Sequence, residues 1–129
     1  MHKKDYKEKI FRKATALYEY FKFMKGSVDL KYPILEPSDI NEKKIVLEKL
    51  DMLIKDFKAI ATSYLNEELT LTDLNNSIDT FKYRYERLTY SYPALEGIAR
   101  SNNYSLGAVP SGLPGMSNLP SSINNLLNP

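Results

Sequence analysis

The side chains of this chain that could do chemistry are few, and their spacing suits it poorly. The one imidazole is His2, beside the first residue, where nothing in the sequence holds it as a general base. With no Cys in the chain, thiolate nucleophiles, disulfides and thiolate metal sites are excluded. Glu67 and Glu68 are neighbours, so their side chains point in different directions instead of at one ion. A carboxylate pair for acid–base work would need tertiary contact, for example Asp51 or Asp56 on one helix against Asp79 or Glu86 on the next. Such charges are more commonly solvated. Gly107, Gly112 and Gly115 are separated by prolines and follow no strand pattern, unlike a phosphate-binding loop. The expectation is a protein that is not an enzyme, with no catalytic residues, metal, cofactor or small-molecule substrate.

Two other groupings suit binding. In FKYRYERLTYSYP, residues 81–93, Tyr83, Arg87 and Tyr90 stand four and three apart, which puts them on one helical face. Such a trio can contact a protein, and with Lys82 and Arg84 nearby it could also stack on bases. Towards the other end of the chain, Lys3, Lys4, Lys7, Lys9, Arg12 and Lys13 make residues 1–25 basic, with eight cationic side chains against three acidic. They offer the alternative reading, a nucleic-acid-associated accessory or regulatory protein. A solvated helix face is the simpler account of such a run.

The strongest binding signal is the tail. All 18 basic and all 16 acidic residues lie between Lys3 and Arg100, leaving residues 101–129 without any. Yet Leu113, Met116, Leu119, Ile123, Leu126 and Leu127 recur there at helix-like intervals, broken by Pro114 and Pro120. A linker stays soluble through charge or through a lack of apolar residues, and this stretch has neither property. Prolines lower the entropy lost on ordering and favour an extended peptide lying in a groove. Residues 104–129 therefore read as an interaction tail. It docks on another protein or a neighbouring copy, or else packs back on its own bundle, the first being preferred.

These groupings need a body to position them. Tyr6, Ile10, Ala14, Leu17, Phe21 and Met24 lie on one face, which predicts a first helix ending at Gly26. Residues 27–37 carry two prolines and predict an extended link, with Leu30, Tyr32, Ile34 and Leu35 touching the body. Asp39 with Glu42 resembles a capping box and predicts the start of a second helix. Its main stripe is Val46, Leu50, Leu53, Phe57, Ile60 and Tyr64. Leu47, Ile54, Ala61 and Leu65 widen that stripe, implying two packing neighbours. Thr70 with Asp73 predicts a third start. The run Leu71, Leu74, Ile78, Phe81, Tyr85, Leu88, Tyr92 then alternates three and four, as in shallow-angle bundles. Pro93 should end or kink this helix, before a short fourth.

The fold class expected is all-α: an elongated antiparallel bundle of three main helices plus a short fourth over residues 1–103, with an extended C-terminal tail. No run approaches the roughly 18 to 20 apolar residues of a membrane span. The first residues lack the apolar stretch of a signal peptide. A non-secreted protein, intracellular or held within a larger particle, is expected to bind protein. It would serve as a small structural or assembly subunit, of a viral or other multi-subunit complex, using its tail and the Tyr83, Arg87, Tyr90 face.

Overall fold

The computed structural model describes residues 3–101. Within them the chain forms α1 (Lys3–Lys31), α2 (Pro37–Leu65), α3 (Leu71–Ser91) and α4 (Pro93–Ser101), with no strand. The tail residues Leu113, Met116, Leu119, Ile123, Leu126 and Leu127 lie outside the described residues. At 29 residues each, α1 and α2 are about 43 Å long.

The direction of each helix follows from which residues meet. Lys25 bonds Asp51, while Phe11 packs edge-on against Tyr64 with ring centres 5.7 Å apart, so α1 and α2 run antiparallel. Phe57 meets Phe81 at 5.1 Å, and Asp56 accepts from Arg84, so α2 and α3 are antiparallel too. Lys13 reaches Asn75 and Tyr20 reaches Tyr85, which makes α1 and α3 parallel. The end of α1, the start of α2 and the end of α3 thus share one end of the bundle, called here the connector end. From there α4 turns back to pack on α1 and α3.

Burial follows the sequence stripes closely. Ile10, Ala14, Leu17, Phe21 and Met24 of α1 are buried, as are Val46, Leu50, Leu53 and Phe57 of α2 and Leu74, Ile78, Phe81, Tyr85 and Leu88 of α3. Leu95, Ile98 and Ala99 of α4 close the core beside α1. Because α1 contacts all three other helices, Thr15, Ala16, Tyr18 and Tyr20 are buried as well. The width of α2 is matched by its contacts with both α1 and α3, although Leu65 is exposed.

The α1–α2 connection departs from the expectation in three ways. Gly26 does not end α1. Glycine inside a helix costs about 1 kcal/mol relative to alanine, but Met24 and Val28 on either side of it are fully buried and hold the helix through. What stops α1 is Pro33, which disfavours helical backbone at Tyr32 after a last bond from Tyr32 N to Val28 O. Nor does Asp39 cap the second helix from outside. Helix α2 begins at Pro37 with Glu36 as its N-cap, and the Asp39 carboxylate reaches back to accept from the amides of Leu35 and Glu36 at 2.8 and 2.9 Å. Glu42 instead accepts from the Tyr32 hydroxyl. Of the four link residues expected to touch the body, only Tyr32 is buried; Leu30, Ile34 and Leu35 are exposed.

The reversal between α2 and α3 is tighter. Glu68 N bonds Ser63 O and Glu67 N bonds Tyr64 O, the paired bonds of a Schellman ending. That ending puts Glu67 at φ 63°, a left-handed conformation more often occupied by glycine. Thr70 then caps α3 as predicted, accepting from Asp73 N at 3.1 Å while Asp73 accepts from Thr70 N at 3.0 Å.

Candidate interaction surface

The third helix is the element that presents the aromatic trio. Its buried stripe holds Tyr85 and Leu88 inward, which turns Tyr83 and Tyr90 outward, 58% and 85% exposed. The Arg87 guanidinium lies over the Tyr83 ring, 5.8 Å from its centre, and one of its nitrogens is 3.5 Å from the Tyr83 hydroxyl. This pair is a cation–π contact on the exposed side of α3. The structure thus brings Tyr83 and Arg87 together, and places Tyr90 one turn further along.

Arg87 also borders an open groove of about 600 Å³ between α2 and α3, which sequence reasoning missed. Ile45, Met52, Leu53, Leu88 and Tyr92 supply its apolar lining. Glu48, Lys49, Arg84 and Arg87 supply charge. Arg84 is already committed, donating to Asp56 at 3.0 Å and resting over the Phe81 ring. The one sequence signal for the groove is the pair Ile45 and Met52, seven apart and off the main α2 stripe; both are exposed.

A second apolar surface sits at the connector end. Leu30 and Leu35 are 83% and 89% exposed, and Ile34 and Ile40 beside them are exposed too. Asp29 and Glu36, adjacent to Leu30 and Leu35, are exposed, while Asp39 is engaged by two backbone amides and Glu42 by Tyr32. Those amide bonds hold the Asp39 carboxyl below the usual carboxylate range. Burial, reinforced by Glu42, pushes the Tyr32 hydroxyl well above the usual tyrosine value.

Two of the carboxylates weighed for chemistry are engaged by cations. Asp51 accepts from Lys25 at 2.8 Å and from Lys55 at 2.9 Å, bonds that hold its pKa down, opposite to what a proton-sharing carboxylate pair needs. Asp56 is taken by Arg84. Among the described residues no three His, Cys, Asp or Glu side chains cluster as metal ligands. In the core, the hydroxyls of Tyr20 and Tyr85 bond each other at 3.1 Å. Burial raises the pKa of both above the ordinary tyrosine range.

Among the described side chains of the basic run on α1, Lys7 and Lys13 already have contacts within the bundle. Lys7 lies over Phe11, whose ring packs on Tyr64 of α2. Lys13 turns the other way and donates to Asn75 of α3 at 3.0 Å. Lys9 and Arg12 are exposed, whereas the side chains of Lys3 and Lys4 lie outside what is described.

No protein-family model matches the chain, and no curated protein or solved structure matches it either. Among the described residues, no helix is long and apolar enough to cross a membrane.

Proposed function

We propose that this chain is a non-enzymatic protein–protein interaction protein, a small structural or assembly subunit of a viral or other multi-subunit complex, working inside a cell or within a larger particle. Its C-terminal tail is the anchor, through Leu113, Met116, Leu119, Ile123, Leu126 and Leu127. The Tyr83, Arg87, Tyr90 face is a second contact. The observation that carries the reading is the arrangement on α3, where the core stripe is complete without Tyr83 and Tyr90. Both aromatics are left outward, one of them in a cation–π contact with Arg87, and Tyr and Arg are residue types enriched among those that dominate binding energy at protein contacts.

The test is affinity capture with the full-length chain from its own source, read by quantitative mass spectrometry at about 50 and 200 mM salt. A partner retained at both salts, and depleted at least tenfold by Leu126→Asp with Leu127→Asp or by Tyr90→Ala, is the expected result. Capture dominated by nucleic acid, lost steeply as salt rises and insensitive to the tail changes, would favour the alternative use of the basic α1 residues and overturn this one.

A further inference from the structure

We infer, resting on the protein-binding reading above, that the groove between α2 and α3 seats a partner's amphipathic helix carrying a carboxylate beside its apolar stripe. Helix α1 packs on both α2 and α3, and α4 packs on α1 and α3. No described residue of α1 or α4 lines the groove, so this side of the α2–α3 pair has no third helix over it. Ile45 and Met52 stand two turns apart on the α2 wall and are exposed, while Leu53 and Leu88 are buried at the seam.

That geometry suits a helix better than an extended peptide. An extended segment would bury its amides and carbonyls against two helices whose own backbone groups are already paired. A helix arrives with its backbone bonded. The separation of Ile45 from Met52 along α2, about 10 Å, matches apolar side chains at i, i+3 or i+4, and i+7 on the incoming helix.

Charge selects which helix. The lining carries three cations, Lys49, Arg84 and Arg87, against one anion, Glu48. Arg84 is taken by Asp56. Lys49, Arg87 and Glu48 are exposed and make no ion pair with one another or with other described residues. Lys49 is one turn from the buried Leu53 and stands over the floor, whereas Glu48 is one turn from the exposed Met52, at the rim. Beyond the lining, Asp51 and Lys55 pair with each other, and the exposed Lys44 and Glu86 are opposite in sign. An uncharged stripe laid in the groove would take Lys49 from water without a partner, and a basic one would add repulsion. A carboxylate on the incoming helix supplies the missing partner.

The probe is a displayed library of helical peptides, about 18 residues long, with an Ala- and Gln-rich frame and one randomised face, selected on the full-length chain. Selection should enrich apolar residues two turns apart flanked by Asp or Glu. A selected peptide should shift the NMR methyl signals of Ile45, Met52 and Leu88. Lys49→Glu, an exposed change whose helicity is checked by circular dichroism, should weaken that peptide about tenfold or more. Selection repeated on Lys49→Glu should favour Lys or Arg at the acidic positions. Selected peptides without acidic residues, signals shifted only outside the groove, or no selected helix at all each overturn the inference. A partner still captured in the salt experiment would then leave the protein-binding reading standing without this seat.

Discussion

Removing one of the two bonded hydroxyls in the core should destabilise the bundle more than removing both. Tyr20 on α1 and Tyr85 on α3 are buried and bonded at 3.1 Å, with their rings edge to face at 5.2 Å. Tyr20→Phe keeps the ring but leaves the Tyr85 hydroxyl without a partner, and Tyr85→Phe does the converse. A buried polar group stranded in this way costs about 1–3 kcal/mol, whereas replacing both partners by apolar groups of the same shape is close to neutral. Each single variant should therefore lose about 1–3 kcal/mol, and the double variant less than either. In a domain of this size about 1 kcal/mol moves Tm by roughly 4–8 °C. Urea unfolding followed by far-UV circular dichroism measures all four proteins. The double variant should fall short of the sum of the singles by more than about 1 kcal/mol. Strict additivity, or single variants indistinguishable from the parent, would refute the claim that these hydroxyls satisfy one another.

Other changes act on the backbone, the core and the titration behaviour. Glu67→Gly should raise stability by about 1 kcal/mol, because Glu67 occupies a left-handed conformation, φ 63°, that costs an L-residue about 1–2 kcal/mol; a fall in the urea midpoint would contradict the Schellman ending. Gly26→Ala should also stabilise, by about 0.5–1 kcal/mol, since a methyl group there meets nothing within 4 Å and α1 continues to Lys31. Among the described residues the buried Thr15 hydroxyl has no hydrogen-bond partner, so Thr15→Val should raise the thermal midpoint, with a gain of about 1 kcal/mol. Finally, burial raises the tyrosine pKa of Tyr18, Tyr20, Tyr32 and Tyr85 above the ordinary 10.0. Their neutral forms favour the folded state, so stability should be flat below pH 10 on their account and fall as pH rises above it. A Tyr20→Phe, Tyr85→Phe protein should show a shallower alkaline slope in the same pH titration.

Much of the bundle was legible because its signals are local. Stripes of three and four residues decide which face of a helix is apolar, and the Thr70–Asp73 box and Pro93 act within a single turn. The outward placement of Tyr83 and Tyr90 was readable for the same reason, being a matter of helical phase. Gly26 misled because glycine's preference is worth about 1 kcal/mol, less than the burial of Met24 and Val28 on either side of it. That burial exists only once the other helices have packed on α1. Asp39 and Glu42 had the right spacing for a cap, but Tyr32 claims Glu42 across the connection.

The sequence alone therefore determined four helices, their inward faces and the separation of a charged body from an uncharged tail, because periodicity and charge are properties of neighbouring residues. Only the tertiary structure decided that α1 and α3 run parallel and bring Tyr20 onto Tyr85, that Asp51 and Asp56 are spent on Lys25, Lys55 and Arg84, and that Leu30 and Leu35 face outward at one end. Those outcomes depend on which helix lies across from a residue, and contacts between residues distant in the chain leave no spacing to read.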